Sequence, residues 1–341
     1  MTKKTRYFLT GSAAVLATGL CTGLVAYYGG GFPALSASTG PNELDYVPAD
    51  AAVVAFADVR SIMDSELRQR FKQAVPVPMN EEGRQEVLAK TGIDIERDID
   101  YVVAAVSPPS AELKPSGVVV ARGRFDVVKL EGFAREHGAQ VQEYKGTRLL
   151  VLQHSGTSEP APDGSTTAVS QGVGVLAFLE PGLVAIGDYV SVQRAIDAHA
   201  SAQTIRSNDE MMDLVADIER TNNAWAVGRF DLIQAQTKLP DQIARQIPPV
   251  KWFAAAGHIN GGVSAQLRAE ALDDQAGENL RGVVNGVISL ARLQAQNDPK
   301  LSSLVSSLQL SGTGKTVQLS FTVPAEIFEL MAPKVNSVIA H

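Results

Sequence analysis

Val250 to Ala271 reads VKWFAAAGHINGGVSAQLRAEA. Asn260-Gly261, at its centre, suits a two-residue hairpin turn, because both turn positions need positive φ. Two strands, Val250 to His258 and Gly262 to Ala271, therefore pair antiparallel across it. The second alternates, with Val263, Ala265 and Leu267 on one face and Arg268 and Glu270 flanking the other. Alternation of that kind belongs to an antiparallel sheet with one wet side. The fold class that follows is α+β, with antiparallel sheets and helices packed on one face.

The same grammar of strand, strand and helix recurs on either side. Ala51 to Val59 is an apolar run of strand length, and Asp58 or Ser61 can cap the helix that follows. Tyr101 to Val106 pairs with Gly117 to Phe125. Hairpins follow around Lys145-Gly146 and Pro181-Gly182, then helices near residues 190–200 and 208–219. Gly123-Arg124-Phe125-Asp126 and Gly228-Arg229-Phe230-Asp231 are identical strings 105 residues apart, each closing an apolar strand and opening a helix. They point to two similar halves, 44–220 and 221–341. In the helix of about residues 274–296, Leu280, Val283, Val284, Val287, Ile288 and Ala291 form one stripe. Gly282 and Gly286 there imply close backbone approach to a sheet. Pro324 opens a last helix to about Ile339.

Upstream, Lys3, Lys4 and Arg6 precede an uncharged run from Tyr7 to Tyr28. Twenty-two helical residues span about 33 Å, enough for a hydrocarbon core of about 30 Å. Basic residues on the N-terminal side leave that end cytoplasmic and the rest outside. Residues 1–28 read as a signal anchor and 29–43 as a linker, FPALSASTGPN forming its Pro-, Gly- and Ser-rich part. Cleavage after Ala34-Leu35-Ser36 would release the body. Lipidation at Cys21 is the third reading, with bulky Leu20 against it.

The chain of 341 residues carries 30 basic and 37 acidic side chains. Three of the basic ones precede the anchor, so 27 face 37 outside, a net charge of −10. An acidic body does not gather phosphate backbones, which excludes nucleic acid as a partner. The one cysteine, Cys21, lies in the anchor, so the body has no disulfide, thiol nucleophile or thiolate metal site.

No catalytic, cofactor-binding or metal-ligating residue is assigned. Asp94, Glu96, Asp98 and Asp100 alternate as calcium ligands do, but the turn glycine and distal Glu of such a loop are missing, and a solvated connection is the reading. Ser311-Gly312-Thr313-Gly314-Lys315-Thr316 looks like the end of a phosphate loop. Gln309 stands where the first Gly belongs, and a strand follows instead of a helix, so it reads as a hairpin turn. His137, His154, His199, His258 and His341 show no metal spacing, and His258 is the best single site candidate. Asp126 and Asp231 read as helix caps, and Trp225 and Trp252 as core.

The anchor, Leu44 to Ala57 (LDYVPADAAVVAFA), the stretch Gly92-Ile93-Asp94 to Asp98-Ile99-Asp100, and the terminal strand–Pro324–helix resemble uncharacterised exported bacterial proteins. Those have one N-terminal anchor and a large cysteine-free α+β ectodomain of unknown function. The resemblance brings no catalytic residues. The expected role is a single-pass protein of the bacterial inner membrane whose periplasmic or extracellular body binds an envelope protein or a ligand without catalysis. A carrier for an apolar ligand would instead show an apolar pocket between sheet and helices. A hydrolase with a dispersed site would show a cleft of converging His, Asp or Ser side chains.

Overall fold

The structure, a computed structural model, describes residues 41–74, 88–94, 96–108, 116–153, 173–231, 248–295 and 299–324. The expected anchor, the helix after Asp231 and the terminal helix lie outside the described residues, as does the low-complexity polar stretch SGTSEPAPDGSTTAVSQG, residues 155–172, which reads from sequence as an exposed loop. No helix among the described residues is long and apolar enough to cross a membrane.

Twelve antiparallel strands form one sheet, in the order β11-β12-β10-β9-β8-β1-β2-β3-β7-β6-β5-β4. They are β1 (Val53–Asp58), β2 (Ile99–Ser107), β3 (Ser116–Gly123), β4 (Gln140–Tyr144), β5 (Thr147–Gln153), β6 (Val173–Glu180), β7 (Leu183–Asp188), β8 (Ala224–Arg229), β9 (Val250–Ile259), β10 (Gly262–Ala271), β11 (Gln309–Ser311) and β12 (Thr316–Pro324). The helices are α1 (Val59–Met63), α2 (Glu66–Ala74), α3 (Val127–Glu136), α4 (Tyr189–Ser201), α5 (Asp209–Ile218), α6 (Asp274–Ala295) and α7 (Pro299–Ser306).

β9 and β10 pair as a hairpin, but the two-residue turn is corrected: Val263 lies opposite Ile259, so the connection is the three residues Asn260-Gly261-Gly262, and neither Asn260 nor Gly261 has positive φ. The turn at Lys145-Gly146 has positive φ at both positions, 49° and 81°. Gly92 closes a helical segment, residues 88–91, with φ +73°, and its N–H reaches the Leu88 carbonyl at 2.9 Å.

The expectation of helices on one face is corrected. Leu149 and Val151 of β5 pack into the core that contains Val192 and Ala195 of α4 and Met211 and Leu214 of α5. Leu150, between them, packs with Ala134 of α3 and with Ala139. Helices therefore cover both sides. The reason lies in the central strands, VVAAV in β2 and VVVA in β3, which are apolar on both faces and leave no wet row. Only the β10 flank alternates, and its polar row faces α5, where Arg268 donates to Asp217 at 2.7 Å.

Separate sheets for two halves are likewise replaced by one. β1 bonds to β2 on one side and to β8 on the other. Position 220 still marks a change of flank, with β2–β7 on one side of β1 and β8–β12 on the other. The connections after the twin strings differ. The strand after β8, β9, is its neighbour, whereas the strand after β3, β4, lies at the far edge.

The body begins at a latched segment. Residues 42–46 form a 3-10 turn against the α4–α5 side. Glu43, 2% exposed, takes the guanidinium of Arg122. Asp45 takes Arg206 and Asp50 takes Arg194. Tyr46 stacks on His199, ring centroids 4.1 Å apart, and its hydroxyl donates to Glu180 at 2.9 Å.

Candidate functional site

The strand ends nearest the first twin string gather the acidic run and the cap Asp126. Gly123 ends β3 so close to the next strand that a Cβ there would lie 2.0 Å from the Asp98 carbonyl oxygen. That same carbonyl accepts the Arg124 N–H at 2.6 Å. The Asp126 carboxylate then accepts the N–H groups of Val128 and Lys129, both at 3.1 Å, and starts α3. Asp58 does the same for α1 through Ser61 N–H at 2.9 Å, and Asp188 for α4 through Ser191 N–H at 2.9 Å. A strand running straight into an aspartate-capped helix is thus the repeated corner of this fold.

The acidic run sits beside that corner, and each of its carboxylates has an arginine. Asp94 lies 3.8 Å from Arg97, Glu96 2.6 Å from Arg68, Asp98 3.0 Å from Arg124 and Asp100 3.6 Å from Arg60. The run also closes on itself, since Asp94 N–H donates to Asp98 Oδ2 at 2.7 Å. Four carboxylates so engaged do not converge on a common point. Among the described residues no three His, Cys, Asp or Glu side chains gather as metal ligands.

Burial shapes the protonation of this corner. Asp58 is pushed above the ordinary carboxylate range by burial, against the opposing pull of the Ser61 N–H and Arg60. Asp100 is raised by burial too, with Arg60 and Arg124 opposing, and its Oδ1 accepts no hydrogen bond. Tyr101 is pushed up to about 12 by burial and by the nearby charges of Asp58 and Asp100. A carboxylate with a raised value holds its proton longer when folded, so the folded chain binds more protons just above the ordinary range. Stability from this source is full below that range and is lost as pH rises through the raised value. Asn caps a helix as well as Asp does. Asp58→Asn should therefore flatten the decline of the unfolding midpoint with rising pH from about pH 4 upward. A midpoint profile parallel to that of the parent would show that Asp58 burial has no such effect.

A recess of about 510 Å³, open to solvent, adjoins the corner. It is lined by Gly92, Asp98, Gly123, Arg124, Phe125, Asp126 and Gly182. Its walls are glycine backbone, the charged side chains of Asp98, Arg124 and Asp126, and Phe125, at a strand end and not between sheet and helices.

The remaining sequence candidates lie apart from it. His258 is exposed on β9, opposite Ser264 of β10. His137 contacts the Phe133 carbonyl at 2.8 Å through Nδ1, and His199 is the stacking partner of Tyr46. His154 and His341 lie outside the described residues. Trp225, 2% exposed, stacks on Phe56 at 5.5 Å, and Trp252 is buried beneath the Arg229 guanidinium at 5.4 Å. Both are core, as read. Asp231 takes the Arg229 guanidinium at 2.8 and 2.5 Å. Residues 311–316 form the β11–β12 turn, with positive φ at Gly312 and Gly314 and Thr316 N–H donating to the Thr313 carbonyl at 3.0 Å. No helix start faces a phosphate there.

No family model matches the chain, and neither does any curated protein. Among solved structures, crystal form I of TP0453 superposes with a TM-score of 0.45 at 10% identity, covering 86% of this chain and 97% of that one. Crystal form IV of TP0453 gives 0.43 at 10% identity, over 86% and 96%. Likeness at this distance assigns no residue a role.

The surface that sequence reading missed is on α6. Ala276, Gly277, Ile288 and Ala295 are buried where α6 and α7 meet β10, β11 and β12. Val283, Val287, Leu290 and Leu293, however, are 44, 45, 46 and 62% exposed. The expected close packing of Gly282 and Gly286 is corrected, since a Cβ at either would meet nothing within 4 Å. The single stripe read from the sequence is two stripes. Residues 280, 284, 288 and 291 turn inward and 283, 287 and 290 outward. The signal was present, because an apolar arc that wide exceeds what one sheet contact can cover.

Proposed function

We propose that this is an envelope protein, held to the bacterial inner membrane by residues 1–28, whose exported body binds a partner instead of transforming a substrate. The observation that carries the reading is the outward apolar face of α6. Four large apolar side chains along one exposed helix form a contiguous patch of the kind that marks an interaction site. The arginine-matched carboxylates of the acidic corner support the non-catalytic side, as each is committed to a structural ion pair. The recess is open to solvent and carries three charged side chains beside Phe125, which argues against an apolar cargo enclosed there.

The test has two arms. With a C-terminal tag, the full chain should stay with the membrane through alkaline extraction and be digested by protease added outside the inner membrane. Recovery in the cytosolic fraction would end the localisation half. Val287→Glu with Leu290→Glu should abolish assembly of the full chain into larger complexes on native gels, with the unfolding midpoint held within a few degrees. Identical complexes with and without the charges would remove α6 as the binding surface.

A further inference from the structure

The outward face of α6 is built to meet a copy of itself. At 100° per residue, Gly282, Val283, Gly286, Val287, Leu290 and Leu293 fall within an arc of about 140°. The two glycines, four apart, leave a shallow groove bare of contacts. The two valines, also four apart, stand beside it as a ridge. A second identical helix crossing this one supplies the ridge for the groove and the groove for the ridge. Small residues at this spacing let helix backbones approach closely. A two-fold axis requires such a self-complementary patch.

Charge narrows the occupant further. From Asn279 to Ala291 the only charged residue is Arg281. It is turned inward, donating to the carbonyls of Gly314 and Thr316 at 3.0 Å each. The whole helix holds two acidic residues, Asp274 and Glu278, against two basic ones, Arg281 and Arg292, so its net charge is zero. Two copies can approach here although the bodies are acidic. A helix that lies on a bilayer is rich in Lys and Arg on its polar face, and α6 has no lysine and one outward arginine, Arg292.

We infer that the partner at this face is a second copy of the same chain, joined through paired α6 helices about a two-fold axis; this rests on the partner-binding reading above. One helix of about 33 Å against another is a small interface, at the low end for specific contacts. Association is therefore weak for the body in solution and strong where anchors confine two copies to one membrane and raise their effective concentration.

The experiment places a photo-crosslinking benzoylphenylalanine at Val287 of the full chain in its membrane. A matched probe goes at Val128, which is 81% exposed on α3, far along the sheet. Irradiation should give an adduct of two chains from position 287 and at most a tenth as much from position 128. Gly282→Leu with Gly286→Leu fills the groove and should cut the 287 adduct at least tenfold, with no fall in unfolding midpoint because both positions are open. Equal adducts from both probes overturn the inference. An adduct from 287 to a different protein, or to lipid, overturns the second copy; the former leaves the partner-binding reading standing. No adduct of any kind from 287 overturns both.

Discussion

Arg122→Met should lower the stability of the body by roughly 3 kcal/mol in urea unfolding, the low end for breaking a buried ion pair. The asymmetry of the pair sets the size. Glu43 is 2% exposed, while the Arg122 side chain keeps 31% of its surface in water. Removing the arginine strands a carboxylate that no solvent reaches, whereas Arg122 itself is partly hydrated, which moderates the loss. Glu180, 4.0 Å from Arg122, would feel the change through Tyr46, whose hydroxyl it accepts. The control is Glu43→Leu in the same chain. A pair of buried opposite charges contributes little net stability over apolar residues of similar volume. The double variant should therefore recover most of the 3 kcal/mol, the coupling that a double-mutant cycle isolates. If the double variant loses as much as the sum of the singles, the two side chains act independently and the latch at residues 41–50 is held by its other contacts.

The latch also shows where sequence reading stops. The hairpin at Lys145-Gly146 was legible because its turn is decided by two adjacent residues, whereas at Asn260-Gly261 the hairpin was legible but its turn was not, since Gly262 joins the connection. The caps at Asp58 and Asp126 were legible because cap and helix lie within three residues. Glu43 and Arg122 are 79 positions apart, and nothing near either names the other. Of the acidic run's four arginine partners only Arg97 stands within the run; Arg60, Arg68 and Arg124 come from other segments, and nothing beside the carboxylates names them. Which face a helix covers is also a long-range matter. The wet row of β10 was read correctly as alternation and then wrongly extended to strands whose apolar runs permit burial on both sides. On α6, thirteen residues with one charge looked like a single buried stripe, because periodicity shows how wide an apolar arc is and not how much of it a neighbour covers.

The same substitution, glycine to alanine, should act in opposite senses at two positions. Gly123→Ala should destabilise the body by about 3 kcal/mol, as overpacking against a part that cannot yield. The added Cβ would sit 2.0 Å from the Asp98 carbonyl oxygen, which is backbone held by the Arg124 N–H. A flexible side chain could move aside, but a carbonyl tied into the corner cannot without parting β2 from β3. Gly282→Ala should stabilise by about 0.5–1 kcal/mol, because the site is helical, open on all sides, and alanine lowers the entropy of the unfolded chain. The contrast accounts for the twin strings in physical terms. At Gly228 the would-be Cβ is 2.8 Å from the Ala52 carbonyl, and the Arg229 N–H donates to that carbonyl at 2.8 Å. In both strings, then, glycine admits the neighbouring backbone and the following arginine N–H bonds to the carbonyl that crowds it. One requirement of the strand end explains the glycine at both places, on strands whose onward connections differ; the N–H that follows is one any residue but proline supplies. Gly228→Ala should fall between the other two, since its closest contacts include the Phe253 ring at 2.8 Å, a side chain that can shift. Unfolding midpoints in the order Gly123→Ala, Gly228→Ala, parent, Gly282→Ala, from lowest to highest, would fit this account. A Gly123→Ala protein as stable as the parent would break it.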